Sequence, residues 1–128
     1  MVNTETDAFV FFASTMIRCM NGNAFSACYL EIERQEGAIG FSTCYKTPQG
    51  AEGYYEIENR AEVCEVIRDL YAITQTQPPI HKDWNKALFT LYPDGKSDME
   101  YIWDAEWQAE IDRYNAEAEA EKQKNRGK

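Results

Sequence analysis

The Pro93-Asp94-Gly95 turn, set between two runs that alternate apolar and polar residues, constrains this chain more than any other feature. Proline presets the first turn dihedral, aspartate bonds back to nearby backbone and glycine accepts the left-handed conformation. So short a connection can join only antiparallel strands, because parallel neighbours need a crossover of a dozen residues or more. Residues 84–92 (WNKALFTLY) and 96–103 (KSDMEYIW) are therefore read as a hairpin. Three further period-two runs lie upstream. Residues 25–33 place Cys28, Leu30 and Ile32 on one face, with Tyr29, Glu31 and Glu33 on the other. Residues 38–46 alternate Ile39, Phe41, Thr43 and Tyr45 against smaller side chains, and residues 51–57 form a third strand. Arg34–Gly37 and Thr47–Gly50 are turns, as in an antiparallel meander.

Helical periodicity brackets these runs. Phe9, Phe12, Ala13, Met16, Ile17 and Met20 recur at steps of three and four, with Thr4 or Thr6 as the cap and Asn21-Gly22-Asn23 as the stop. Asn59 and Glu62 form a variant capping box ahead of the stripe Val63, Val66, Ile67, Leu70 and Tyr71. Pro78-Pro79 ends that helix within 74–83. Asp104 caps a last helix whose inward residues are Trp107, Ile111 and Tyr114. The fold class is α+β, in the order α-β-β-β-α-β-β-α: a five-stranded, mainly antiparallel sheet with helices packed on it. Residues 1–115 form a single domain, and 116–128 form a charged tail that is frayed or disordered.

At 128 residues, 44% of them hydrophobic, one domain can bury a core without staples. Acids outnumber bases 22 to 13, a net charge of −9. That balance argues against nucleic acid as a direct ligand and against anionic membranes, since both want Lys and Arg. It favours a basic macromolecular partner, steered in by charge. Cys19, Cys28, Cys44 and Cys64 form no C-x-x-C pair and no zinc spacing. No signal peptide precedes them, because Glu5 and Asp7, not Lys or Arg, flank the apolar run Ala8–Ile17, which is too short to span a bilayer. A reducing cytoplasm is the expected compartment.

Catalytic patterns are not found. His81 is the single histidine and reads as a residue of the proline-rich connector. There is no nucleophile elbow, Walker loop or dinucleotide fingerprint. Asp94-Gly95-Lys96 lacks the ladder of acids that calcium needs. Acid pairs such as Glu56/Glu58 and Asp98/Glu100 read as solvated surface. The expectation is a binding protein without catalytic residues, cofactor or metal.

The acidic charge is concentrated. Asp94 to Glu119 holds nine acids against two bases, net −7 in 26 residues, with Tyr101, Trp103, Trp107 and Tyr114 among them. If Met99, Tyr101 and Trp103 face the core, Asp98 and Glu100 look outward. Glu106, Glu110, Arg113 and Glu117 line one helical ridge. Acids rimmed by large aromatics suit a basic protein. The candidate partner-binding residues are Asp98, Glu100, Asp104, Glu106 and Glu110 as electrostatic contacts, with Trp103 or Trp107 as anchor.

The segment from Trp84 through Tyr92-Pro93-Asp94-Gly95-Lys96, closed by Glu100-Tyr101-Ile102-Trp103-Asp104, resembles the C-terminal hairpin of YezG-like immunity proteins. In that family a Trp precedes a strand, an Asp- or Asn-Gly-Lys turn follows, and an aromatic-acidic strand closes. The similarity covers roughly residues 8–104. It implies an antitoxin that binds and silences the toxic C-terminal domain of a polymorphic or contact-dependent inhibition toxin, often a basic nuclease. Ser97 stands where the family commonly has an aromatic, and the last helix extends beyond the shared pattern. The alternative is a small acidic chaperone of type III secretion, similar in size, charge and element order. Such a chaperone would need a dimerisation helix and exposed apolar grooves. Both partners are proteins.

Overall fold

The computed structural model of the chain describes residues 2–76 and 79–126. Pro78, the first proline of the expected helix stop, and the last two residues of the tail lie outside the described residues. The elements are α1 (Glu5–Met20), β1 (Ala27–Gln35), β2 (Ala38–Lys46), β3 (Glu52–Gly53), α2 (Arg60–Gln75), β4 (Lys86–Leu91), β5 (Ser97–Ile102) and α3 (Ala105–Arg126). The five strands form one antiparallel sheet in the order β3-β2-β1-β4-β5. The fold is α+β in the expected order.

α1 and α2 cover one face of the sheet. The Thr4 hydroxyl accepts the Asp7 N–H at 3.1 Å, and Asn21 closes α1 in the left-handed conformation, φ 51°. The buried line of α1 is Ala8, Phe12, Met16 and Met20, with Thr15 beside it. Ile17, expected inside, is 55% exposed. At about 100° per residue it lies about 140° round the helix from Phe12, on the solvent side of a stripe that follows steps of four. α2 buries Val63, Val66, Ile67, Leu70 and Thr74. The Asn59 side chain makes no backbone cap; its amide donates to Glu62 at 2.9 Å and its oxygen accepts from Arg18 at 3.0 Å. Beneath the helices lie Cys28, Leu30 and Ile32 of β1, Phe41 of β2, and Ala87, Phe89 and Leu91 of β4. Phe89 meets Phe9 and Phe12 at ring distances of 5.7 and 5.5 Å. Truncating a buried phenylalanine here costs about 3–5 kcal/mol.

The third strand is shorter than the expected 51–57. Only Glu52 and Gly53 join the ladder, against Lys46 and Tyr45. A Cβ at Gly53 would stand 2.5 Å from the Tyr45 ring, so a larger residue here would displace that ring. The chain then turns from the sheet edge into the core, because Tyr55 and Ile57 are both buried. The Thr43 hydroxyl donates to the Tyr55 carbonyl, and the Tyr55 hydroxyl reaches the Tyr29 carbonyl at 2.8 Å. Side-chain burial thus replaces the missing ladder bonds.

Trp84 is fully buried at the entry to β4. Its indole N–H donates to the Thr74 hydroxyl at 2.9 Å, and its ring lies between Tyr71 and Tyr101, 5.3 Å from each. The Arg34 guanidinium covers the other side of Tyr71 at 3.4 Å and lies 3.6 Å from Asp83. The described part of the connector before β4 is held by these contacts.

α3 departs most from expectation. It remains helical to Arg126, where the sequence reading has a frayed tail after Asn115. Ala116 to Lys124 consists mostly of strong helix formers, and Glu119 and Glu121 each precede a lysine by three residues. Tyr114, expected inside, is 71% exposed. The helix runs past the end of the sheet, so its apolar stripe outlasts the surface available to cover it.

Candidate protein-binding surface

The second face of the sheet carries no helix across its centre. Side chains alternate between faces along each strand, so burial of Leu30, Ile32, Ala87 and Phe89 turns their neighbours outward. The register then sets three rows across the open face: Ser42, Glu31, Leu88 and Glu100; Cys44, Tyr29, Thr90 and Asp98; Gly40, Glu33, Lys86 and Ile102. Four carboxylates, Glu31, Glu33, Asp98 and Glu100, are exposed there. Adjacent strands lie about 4.8 Å apart, which puts Glu31 and Glu100 about 10 Å apart across Leu88. Between them runs a shallow groove of about 260 Å³ floored by Leu88 and Ile102 and bordered by Glu31, Glu33 and Lys86.

Local bonding leaves this face negative. Glu31 accepts the Ser42 hydroxyl at 3.1 Å, and Asp98 accepts the Tyr92 hydroxyl at 3.2 Å. Among the described residues, no ion pair involves Glu31, Glu33, Asp98 or Glu100. Lys86, the cation in the middle of the face, is committed elsewhere: its ammonium lies 2.9 Å from the Asp104 carboxylate and 4.9 Å from the Trp107 ring centre.

Asp104 and Asn85 fasten α3 beside this surface. Asp104 caps α3 by accepting the Trp107 N–H at 3.0 Å. That bond, then the Lys86 ammonium, hold the Asp104 carboxyl below the usual carboxylate range. Asn85 is fully buried; its amide donates to the Asp104 carbonyl at 2.9 Å, and its oxygen accepts the Asp104 N–H at 2.7 Å. Trp107 is thereby laid, half-buried, against Glu33, Gln35, Ala38 and Gly40. Glu106 and Glu110 are exposed on α3. Glu110 lines a groove with Ile111, Tyr114, Gln35 and Glu36.

Of the seven residues singled out in the sequence, Asp98 and Glu100 are exposed on the sheet, Glu106 and Glu110 are exposed on α3, and Trp107 is half-buried beneath the Lys86 ammonium. The Asp104 carboxylate holds a helix end and a lysine. Trp103 lies apart from the others. It is 48% exposed, but it follows Met99 and Tyr101 on the other side of β5, by a groove shared with His81, Lys82 and Asp83. Strand alternation forbids it from sharing a face with Asp98 and Glu100.

Glu31 and Glu33 were missed as site residues. Their outward face was readable from alternation in β1, but the adjacency of β1 and β4 was not, because it spans more than fifty residues of chain. His81 is more than a connector residue: its Nε2 lies 3.1 Å from Glu5, the same carboxylate oxygen accepts the Tyr101 hydroxyl at 2.7 Å, and the two rings stack at 4.5 Å. These contacts tie the connector to α1 and β5. The open face supplies negative potential, a flat apolar groove and a half-buried indole, which together fit recognition of a basic polypeptide.

No protein-family model matches the chain, and no curated protein matches it. Among the described residues, no helix is long and apolar enough to cross a membrane.

Proposed function

We propose that this chain is an immunity protein that neutralises a basic toxin domain in the cytoplasm by binding it through the open face of its sheet. The observation that carries the reading is the row arrangement of Glu31, Glu33, Asp98 and Glu100, with no ion pair among the described residues, continued by Glu106 and Glu110 of α3. Glu31 and Glu100 lie about 10 Å apart, and like charges this close repel, a cost that binding a cationic surface relieves. The resemblance of the 84–104 hairpin to YezG-like immunity proteins supports the same role and supplies the partner class. The work is binding; no catalytic step is assigned. The chaperone alternative has less support. The outward side of α2 presents Arg60, Glu62, Glu65 and Arg68, and the exposed apolar residues of α1 are Val10 and Ile17, two turns apart on one face.

The test is protection from a toxin. The chain is co-expressed with the basic toxic domain of a candidate cognate toxin, and growth is measured. The native chain should restore growth. A folded variant carrying E31K, E33K, D98K and E100K should not. Equal protection by that variant, or none by the native chain, would overturn the proposal.

A further inference from the structure

The outer side of β5 is an unpaired strand edge. β5 ends the sheet order, and its one strand neighbour is β4. The Tyr92 N–H bonds the Lys96 carbonyl at 2.9 Å, and the Asn85 N–H bonds the Ile102 carbonyl at 3.0 Å, so even-numbered residues of β5 turn their backbone toward β4. Antiparallel ladders alternate. The N–H and C=O groups of Ser97, Met99 and Tyr101 therefore point away from the sheet, a template for another strand.

The side chains along this edge differ by face. Asp98 and Glu100 stand on the open face. Met99, Tyr101 and the half-exposed Trp103 line a groove of about 480 Å³ on the other, shared with His81, Lys82, Asp83 and the edge of Glu100. A strand laid along β5 would thus meet carboxylates on one side and apolar rings on the other, with period two. A second copy of β5 fits poorly. Antiparallel self-pairing centred on Met99 sets Asp98 opposite Glu100 of the other copy, and like charges directly opposite destabilise a sheet.

We infer that β5 is a strand-addition site for an extended segment of the partner in which basic residues alternate with apolar ones. The basic residues face Asp98 and Glu100; the apolar residues enter the groove by Met99, Tyr101 and Trp103. Backbone bonds hold the segment, and the alternating side chains select it. This inference rests on the proposed function for its partner, but its chemistry can be tested apart from it.

The experiment titrates the full chain with three synthetic peptides: an alternating Lys-Val heptapeptide, a block peptide of the same composition, and the alternating peptide N-methylated at its valines. Calorimetry gives affinity, and amide hydrogen exchange gives the site. The alternating peptide should bind at least tenfold tighter than either control and should slow exchange at Met99 and Tyr101. D98K/E100K should lose at least tenfold in affinity for it. Equal binding of the three peptides, or protection elsewhere with β5 unchanged, overturns the inference. A toxin domain neutralised with the Met99 and Tyr101 amides still exchanging freely would sink the edge alone. Peptide binding at β5 without neutralisation of any toxin would sink the functional reading alone.

Discussion

Replacing Asn85 with alanine should loosen α3 more than any other single change outside the core. The fully buried Asn85 side chain bonds both backbone groups of Asp104, at 2.7 and 2.9 Å, where the chain leaves β5 for α3. Alanine leaves that N–H without its partner, while the Asp104 carbonyl keeps the Gln108 N–H at 3.1 Å. Each buried polar group left unpaired costs about 1–3 kcal/mol. Asp104 is only half-buried, so water recovers part of this, and the cost should be about 1–2 kcal/mol. With a urea slope of about 2 kcal/mol per molar for a domain of this size, the unfolding midpoint should fall by about 0.5–1 M. Amide exchange should localise the effect, with the first turns of α3 losing protection by about tenfold or more while β1 and β4 change only with global stability. A midpoint shift equivalent to less than about 0.5 kcal/mol, the scatter of ordinary surface changes, would refute the claim that Asn85 fastens α3. Unchanged protection at Trp107 would refute it equally.

Three further outcomes follow from the packing and the ionisable groups. I17S should change stability by less than about 0.5 kcal/mol, whereas F12A should cost about 3–5 kcal/mol, because only the second residue faces the sheet; chemical denaturation of the pair checks the corrected stripe of α1. Burial pushes the Cys28 thiol up from 9.0 to about 11. The unfolded chain therefore releases that proton first, and stability present below pH 9 should decline as pH rises from about 9 to 11, at up to about 1.4 kcal/mol per pH unit; denaturation midpoints across that window should fall less steeply in C28A. Hydrogen bonds and Lys86 hold the Asp104 carboxyl low, so the stability it adds should be present above its ordinary range and vanish as pH falls through its lowered one. D104N should blunt the acid side of the stability profile.

What could be read from the sequence was local. The β4–β5 hairpin followed from Pro93-Asp94-Gly95, whose turn chemistry acts within a few residues. The α2 stripe followed from period alone, and four of its five members are buried. The third strand was overextended because Tyr54 to Ile57 has strand-forming residues but spends Tyr55 and Ile57 on the core instead of the ladder. The tail of α3 was judged by its want of apolar side chains, although helix propensity and charge spacing carry it to Arg126. The acidic surface was half legible. Asp98 and Glu100 were found from alternation beside Met99 and Tyr101. Glu31 and Glu33 were missed because pairing of β1 with β4 is a long-range property that no local pattern encodes. Trp103 was read on the face opposite Asp98 and Glu100, with Met99 and Tyr101, and it lines a groove with them.

The most direct test of the acidic open face is the hydrogen-exchange footprint of the chain bound to the basic toxin domain proposed as its partner, compared with the free chain. The account predicts slowed exchange in β5, at the outward backbone groups of Ser97, Met99 and Tyr101, and in the first turns of α3, with α1 and α2 unchanged. Protection confined to α1 and α2, leaving β5 and α3 as in the free chain, would contradict it.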